Sequence, residues 1–332
     1  MDNIISNCSF NRSELLQSEE ALIPQTVRIV VILVVSVTVI LTNLLNLIVL
    51  QKTRQIPPIA KICVLNLSVA DLSSGVVCML PCLVPAVTGS WPYGTIWCQI
   101  AGIFHGTCCS VSIWSLSVVS VDRYMAIKFP LRYHTLMTPR RCVTALLALW
   151  GLGVGTFLLP IFISEDLIYY EFSPATVICG MYWEYRWLCL VSGLYTPLPS
   201  AITIVFTSIS VIREMGILSK IRVIPAGGES NAQKQDIRAI NVLSATASVY
   251  FIAWGPYVVS EFTLIFTDSV TIPPGVQFSF MWLANSNSFM NVFIYSMVYK
   301  SFRVKTAQLI RSVLLCKFRG FHVSEENSSL EN

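Results

Sequence analysis

Seven long stretches of this chain carry no Lys, Arg, Asp or Glu, except for a single aspartate in the second stretch. A helix needs roughly 20 apolar residues to cross the hydrocarbon core of a bilayer, and every stretch reaches that length. Strands of a membrane barrel are about half as long and alternate in polarity. The sequence therefore predicts an all-α membrane protein with seven spans, at Ile29–Leu50, Ile62–Tyr93, Cys98–Val121, Cys142–Ser164, Trp187–Ile212, Ala239–Ser260 and Ser269–Tyr299.

The composition agrees with this class, because only 12% of the residues are charged and 54% are hydrophobic. A soluble domain usually carries about 25% charged residues. Basic residues collect on the cytoplasmic side of membrane proteins. With the N-terminus outside, 19 of the 22 Lys and Arg lie inside, and only Arg12, Arg28 and Arg186 lie outside. The net charge of +4 follows from this topology, and no pattern indicates nucleic-acid binding.

These spans divide the chain into four parts, namely an extracellular tail 1–26, a membrane domain 27–299, an amphipathic helix 300–317 and a cytoplasmic tail 318–332. The amphipathic helix is expected to lie on the inner leaflet, since its apolar residues alternate with basic ones. The first residues lack a basic segment followed by an apolar core, so the first span is expected to act as an uncleaved anchor.

Several residues of the tails and loops are candidates for covalent modification. Asn7 and Asn11 each open a glycosylation pattern on the expected outer side. Cys98 begins the third span and Cys179 lies in the longest outer loop, so both face the oxidising side and can form a disulfide. Cys316 follows the basic amphipathic segment and is either a palmitoylation site or a free thiol.

Asp71 lies in the middle of the second span. A lone carboxylate at that depth faces the bundle interior and binds a cation, a proton or a polar partner. Hard oxygen ligands around it suit a small cation such as sodium, whereas a neutral Asp71 suits a hydrogen-bond network that holds the bundle together. Both interpretations stay open. The polar side chains at a comparable depth are Asn43, Ser112, Asn287, Ser288 and Asn291.

The triplet Asp122, Arg123 and Tyr124 stands at the inner end of the third span. Arg123 can pair with Asp122 or with Asp236, which lies at the inner start of the sixth span. A pair that bridges two helix ends can lock and release them, as a transmembrane switch requires. The alternative is an ordinary boundary arginine that extends to the headgroups.

The sixth span contains Trp254, Gly255 and Pro256. Proline removes a backbone hydrogen bond, so the helix is expected to kink there. A large indole at a kink can couple an outer pocket to the inner helix end, although core packing is the commoner role of a buried aromatic side chain.

Taken together, these residues resemble the rhodopsin-like (class A) family of G-protein-coupled receptors. The resemblance extends over nearly the whole chain, with matches in the order of the family. The matching residues are Asn43, Asn66–Asp71, Trp91–Gly94, Cys98 with Cys179, Asp122–Tyr124, Pro130, Trp150, Trp254–Pro256, Asn287–Ser288, Asn291–Tyr295 and Phe302.

This resemblance implies a receptor of the plasma membrane, and not an enzyme, that passes an extracellular ligand's signal to heterotrimeric G proteins by opening an inner cleft. Arrestin, a receptor kinase and membrane lipid are the further partners that it implies. It also implies an allosteric sodium ion, with no other metal or cofactor, held by Asp71, Ser112, Asn287 and Asn291.

The resemblance also assigns roles in switching. Trp254 with Pro256 would be the toggle, and Arg123, flanked by Asp122 and Tyr124, would close the G-protein cleft together with Asp236. Leu131 would pack into the G protein, and Tyr295 would swing inward on activation.

The sequence does not identify the ligand. Amine receptors of the family carry an aspartate where this chain has His105, and opsins carry a lysine where it has Asn285, so amine ligands are disfavoured and retinal is not expected. His105 could sense pH or bind an anionic group, or simply fill a helix interface. The pocket residues implied by family position are His105, Cys109, Tyr257, Glu261, Met281 and Asn285.

Three positions depart from the family pattern. Val292 replaces a usual proline, Ser208 stands near a usual tyrosine, and Ala253 replaces a common cysteine. The first two keep open a receptor that signals constitutively, or one that pairs with another receptor and has no agonist of its own.

Two other classes of membrane protein fit the sequence less well. A transporter usually shows internal repeats or several buried charges, and only Asp71 is charged at depth. An intramembrane enzyme would need a metal or nucleophile cluster, whereas the three histidines are scattered at His105, His134 and His322.

Overall fold

The computed structural model describes residues 23–53, 56–163, 168–185, 195–221, 231–267, 271–298 and 302–312. The side chains of residues 163, 218–221, 231–243 and 295–298 are not part of that description. The predicted modification sites Asn7, Asn11 and Cys316 therefore lie outside the described residues, as do most of the two predicted tails.

In the part of the chain that the structure describes, seven long helices form the bundle, which confirms the predicted fold class. They are α1 (Gln25–Lys52), α2 (Pro58–Thr88), α3 (Gly94–Lys128), α5 (Pro139–Leu158), α7 (Pro197–Ile221), α8 (Asn231–Phe266) and α9 (Pro274–Val298). Shorter helices are α4 (Pro130–Leu136), α6 (Pro160–Ile163) and α10 (302–312). The helix α3 packs against α2, α5 and α7 and is the central element.

Six of the long helices are apolar enough over a sufficient length to cross a membrane. The exception among the described residues is α9, which has 25 residues but carries a polar run. Asn285, Ser286, Asn287, Ser288 and Asn291 are all buried inside the bundle. Polar groups in a membrane must be satisfied by the protein itself, so at this level α9 is enclosed by the rest of the protein on most of its circumference.

Proline shapes the second helix. Its regular part, Pro58–Ser74, passes into a π-helical turn at Gly75–Met79 and a tighter turn at Leu80–Cys82 before the last segment, Leu83–Thr88. Pro81 lacks an N–H group and cannot continue the regular hydrogen bonding, so the helix changes its winding there.

A β-hairpin, which the sequence did not predict, covers one end of the bundle. Strands β1 (Ile168–Ser173) and β2 (Ile178–Trp183) pair antiparallel, with Phe172 opposite Cys179. The predicted disulfide between Cys98 and Cys179 is present and joins β2 to the start of α3. This end of the molecule is called the disulfide end below, and the opposite end, which carries Arg123, the arginine end.

The tip of the hairpin is embedded in the helices. Val177 adopts a left-handed backbone (φ 60°) and is only 3% exposed. Together with Ile178 it packs into a core cluster with residues of α1, α2 and α9, including Ile32, Phe278 and Trp282. The hairpin therefore closes the core at the disulfide end.

Two hydrogen bonds fix this tip. Trp282 donates its indole N–H to the carbonyl of Thr176 at 3.0 Å. Arg28 donates from Nη1 to the carbonyl of Pro174 at 3.2 Å. Both donors come from helices far away in sequence, so the tip position depends on the assembled bundle.

Gly102 of α3 offers a direct test of how tightly the hairpin is seated. A Cβ atom there would lie 2.5 Å from Cδ1 of Tyr170. That ring cannot retreat freely, because its hydroxyl donates to the carbonyl of Phe157 at 2.5 Å. Gly102→Ala is expected to lower stability by about 1–3 kcal/mol through overpacking.

Thermal unfolding of the purified protein in detergent measures this effect. Gly151→Ala is the matched control, since an added Cβ there meets no heavy atom within 4 Å. An unchanged Tm for Gly102→Ala beside an unchanged control would mean that the hairpin is not seated as described.

Candidate functional site

The carboxylate of Asp122 organises the arginine end. Its side chain is fully buried. It accepts a hydrogen bond from Nε of Arg123 at 2.9 Å and a further contact from Nη2 of the same residue. The hydroxyl of Tyr133 donates to its other oxygen at 2.7 Å. The buried negative charge is therefore held by one cation and one neutral donor.

Tyr133 belongs to α4, so its bond ties this short helix to the end of α3. Burial and the neighbouring Asp122 raise the pKa of Tyr133, which keeps its hydroxyl protonated and able to donate. Sequence reasoning missed this residue. Eleven positions separate it from Asp122, and no local pattern places the two side chains together.

The side chains of two predicted switch residues lie outside the described residues. The backbone of Asp236 lies in α8 and that of Tyr295 in α9, but both side chains are outside the described set. The predicted pairing of Arg123 with Asp236 and the inward swing of Tyr295 therefore stay predictions.

Tyr124 packs between α3 and α7. Its ring centroid lies 6.0 Å from that of Phe129 and 5.8 Å from that of Phe206. Lys128 lies above the same ring, with Nζ 5.5 Å from the centroid, and pairs with Glu214 of α7 at 3.7 Å. This contact is half-exposed, so it orients the two helix ends more than it stabilises them.

Leu131 points away from the protein. It is 96% exposed, although it is a large apolar side chain. It follows Pro130 at the start of α4 and stands two residues before Tyr133, so the two side chains point to nearly opposite sides of this helix. The bond between Tyr133 and Asp122 therefore holds α4 in an orientation that presents Leu131 at the arginine end.

Asp71 lies in the interior and is 2% exposed. Asn291 donates from Nδ2 to its carboxylate at 3.5 Å, and the hydroxyls of Ser112 and Ser288 lie beside it. Asn287 is also buried, 3% exposed, and its backbone carbonyl accepts from Nδ2 of Asn291 at 3.4 Å. The structure thus gathers residues of α2, α3 and α9 around one carboxylate.

Two buried oxygens without a full hydrogen bond belong to the same polar interior. Among the described residues, the buried Ser112 Oγ and Asn43 Oδ1 have no hydrogen-bond partner of full geometry. A buried oxygen without a donor is costly in a medium of low dielectric constant. Carboxylate, hydroxyl and amide oxygens are also the ligands that hard cations prefer, so these residues fit a sodium ion chemically.

Trp254 lies partly buried at the edge of the core. It packs against a buried cluster that includes Leu67, Ile204 and Tyr250, and its ring centroid is 6.1 Å from that of Tyr257. Its buried Nε1 has no hydrogen-bond partner among the described residues. Pro256 lies within the same helix, α8. Trp254 therefore packs against the core, and its role as a toggle stays a prediction.

Three of the six candidate pocket residues meet directly. His105 Nε2 lies 3.0 Å from Asn285 Oδ1, and Cys109 Sγ lies 3.6 Å from the same His105 nitrogen. Asn285 is 1% exposed, and its Nδ2 has no partner in the described part of the chain. The sequence did not foresee this contact between α3 and α9.

The other candidates lie around this group. Tyr257 neighbours Trp254, whereas Met281 packs against the cluster at the hairpin tip. Glu261 lies near Tyr182 of β2. Burial raises the pKa of the Tyr182 hydroxyl, and the negative charges of Glu261 and Glu171 raise it further. The hairpin therefore covers these candidate pocket residues. The length of the loop did not predict this arrangement.

The departures from the family pattern have structural consequences. Val292 is 4% exposed and joins an apolar cluster with Val49, Leu50 and Phe302. Ser208 carries a buried Oγ for which the described residues offer no hydrogen-bond partner. Val292 is therefore closely packed, whereas the Ser208 hydroxyl has no hydrogen-bond partner among the described residues.

Comparison with known proteins identifies the family. A family model described as 7 transmembrane receptor (rhodopsin family) matches residues 42–295. The 5-hydroxytryptamine receptor 6 of Rattus norvegicus is 26% identical over 265 residues, which cover 72% of this chain and 60% of that receptor. The chain thus spans less than two thirds of this relative.

Two further relatives give similar values. Galanin receptor 2b of Danio rerio is 28% identical over 259 residues, covering 77% of this chain and 67% of the relative. G-protein coupled receptor 52 of Mus musculus is 29% identical over 259 residues, covering 74% and 69%. These relatives are named for different ligand classes at nearly equal identity, so similarity alone does not identify a ligand.

The bond between Tyr133 and Asp122 can be tested without a ligand. Tyr133→Phe removes the hydroxyl and leaves a buried carboxylate oxygen without its donor. We expect a loss of about 1.5 kcal/mol, the low end for a hydrogen bond to a charged group, because Tyr133 is only half-buried. Thermal unfolding measures it, with Tyr185→Phe as the control on an exposed tyrosine. Equal Tm values for the two variants would show that the bond contributes nothing.

Proposed function

The chain belongs to the rhodopsin family of seven-transmembrane receptors, and from this we propose that it carries the signal of an extracellular ligand to heterotrimeric G proteins. It is a multi-pass membrane protein. The observation that carries the proposal is the cluster of Asp122, Arg123 and Tyr133, with the exposed Leu131 beside it. No enzymatic step is needed for this function.

We assign the arginine end to the cytoplasm and the disulfide end to the outside of the plasma membrane. The excess of Lys and Arg on the loops of the arginine end supports this orientation. A disulfide at the opposite end also supports it, because disulfides persist in oxidising compartments. The four predicted parts of the chain keep their boundaries, with 1–26 outside and 318–332 inside.

In the proposed switch, Asp122 keeps Arg123 from the cleft in the resting state. Tyr133 shares the same carboxylate, so α4 and Arg123 are released together when the site opens. Leu131 then contacts the G protein. Asp236 and Tyr295 complete the closed and open states, and movement at Trp254 and Pro256 links them to the pocket.

Sodium binding at Asp71 is part of the proposal. Asp71 and Ser112 would supply anionic and hydroxyl oxygens, and Asn287 and Asn291 would complete the set. A bound cation neutralises the carboxylate and stabilises the arrangement that holds it. The Ser112 hydroxyl beside Asp71 and the Asn291 amide that reaches the same carboxylate support this assignment, because they place the four residues' oxygens within one polar interior.

The pocket is proposed to lie at His105, Cys109 and Asn285, below the hairpin. Its residues favour a polar or anionic ligand group over an amine, since Asn285 Nδ2 is an unused donor and no carboxylate contact of His105 is found among the described residues. A cavity of about 230 Å³ beside Arg28 and Phe172 includes none of the six candidates, so we do not assign the ligand there.

A second candidate function is supported by one observation. The tip of the hairpin, with Val177 and Ile178, already occupies the outer mouth of the bundle. A receptor that signals constitutively, or that pairs with another receptor and needs no agonist, is compatible with such a covered mouth.

Arrestin, a receptor kinase and inner-leaflet lipid at α10 are further proposed partners, with glycans at Asn7 and Asn11 and a lipid on Cys316.

Second-messenger output tests the main proposal. Both cAMP and inositol phosphate are measured in cells that express the wild-type chain or Arg123→Ala at matched surface levels. A basal signal that falls at least fivefold in the variant supports G-protein coupling and identifies the G-protein class. A basal signal of equal size in both would contradict the role of Arg123. Silence in both would leave a receptor that needs its ligand or a partner receptor without an agonist of its own, and ligand screening then separates the two.

The sodium proposal has its own test in thermal unfolding. At ten times its Kd a bound ion stabilises a protein by about 1.4 kcal/mol, which is a shift of a few degrees. We expect a higher Tm in NaCl than in choline chloride at equal ionic strength, and no difference for Asp71→Asn. An equal response to both salts in the wild type would rule out the site.

A further inference from the structure

Two cysteines of different helices meet at the arginine end. Cys63 of α2 and Cys142 of α5 have their sulfur atoms 3.5 Å apart. Both are buried, at 0% and 5% exposure. The thiols of Cys78 and Cys82, by contrast, bond to backbone carbonyls. The contact between Cys63 and Cys142 thus joins two thiols across a helix interface.

This pair lies directly behind the proposed switch. It belongs to a buried cluster with Ile59, Val119 and Leu146, and Tyr133 and Met137 pack against that cluster. Tyr133 is the residue that holds Asp122. The segment after α3 therefore packs against the buried cluster that contains the two thiols.

We propose that Cys63 and Cys142 are a redox-sensitive site, at which hydrogen peroxide converts the two thiols into a reversible disulfide between α2 and α5. The sulfur atoms would have to approach from 3.5 Å to about 2.0 Å, the length of the bond. Rotation of two small side chains together with a slight shift of the helices can supply this movement.

The chemistry balances with peroxide as the oxidant. The Cys142 thiol, the more exposed of the two and in the first turn of α5, loses its proton and attacks one oxygen of the peroxide. A helix N-terminus stabilises the thiolate that does so. The O–O bond breaks, leaving a sulfenic acid and one water molecule. Cys63 then attacks that sulfur, and the second water leaves as the S–S bond forms.

The consequence is a covalent tie beneath Tyr133. Thiols facing the cytoplasm are kept reduced, so the bridge would form only under oxidative conditions and would be removed by cellular reductants. Its formation does not depend on the proposed function. Only its effect on signalling would, because the tie fixes the position of Tyr133 and therefore the proposed switch.

Mass spectrometry of the full-length receptor in membranes tests the bridge. Membranes are treated with hydrogen peroxide, free thiols are blocked, and the protein is digested without reductant. The peptide joined at Cys98 and Cys179 is the internal standard for an intact disulfide. We expect a peptide joined at Cys63 and Cys142 that increases with peroxide and disappears with dithiothreitol.

Thermal unfolding supplies a second readout. Oxidation is expected to raise the Tm of the wild type by about 3 °C or more, because the bridge constrains the unfolded chain. Cys63→Ala and Cys142→Ala should each abolish the shift. Cys108→Ala, which removes an equally buried thiol from another cluster, should retain it.

Two results would overturn the proposal. One is that both thiols stay fully available to an alkylating reagent in the denatured protein, at peroxide doses that already oxidise other residues. The other is oxidation of Cys142 to sulfinic acid with no joined peptide. Either result would leave the pair as packing residues, and neither would bear on whether the receptor couples to G proteins.

Discussion

The absence of water from the bilayer core is the constraint on which this structure depends. Polar side chains inside it need protein partners, and the chain collects them on the faces where α1, α2, α3 and α9 meet. Asp71 and Asn291 show the principle most clearly, because one amide from α9 reaches a carboxylate on α2. Since few arrangements satisfy all of these groups, the polar interior fixes how the helices are rotated against one another.

The two ends of the bundle differ in how they are closed. At the disulfide end, the hairpin covers the core, and its tip is held by Trp282 and by Arg28. At the arginine end, the structure keeps a buried charge, Asp122, next to a segment that presents an apolar side chain outward. The disulfide end is therefore covered by its own chain, whereas the arginine end keeps a buried charge beside an exposed apolar side chain.

The sequence predicted elements that depend on local pattern. The spans follow from runs of uncharged residues, and the partners Cys98 and Cys179 follow from their position beside the expected outer face. It could not predict contacts made only after folding. The hairpin needs the cross-strand pairing of a loop, and the bond from Tyr133 to Asp122 depends on the turn at Phe129. The contact of His105 with Asn285 joins residues 180 positions apart.

Capture of a nucleotide-free G protein tests the central claim most directly. The wild-type receptor in lipid nanodiscs is exposed to purified heterotrimers of each class, with nucleotide removed enzymatically so that no bound GDP competes with the receptor. We predict that at least one class binds, and that Arg123→Ala weakens this binding tenfold or more. Failure of every class to bind a receptor with its Cys98–Cys179 disulfide intact would contradict the claim.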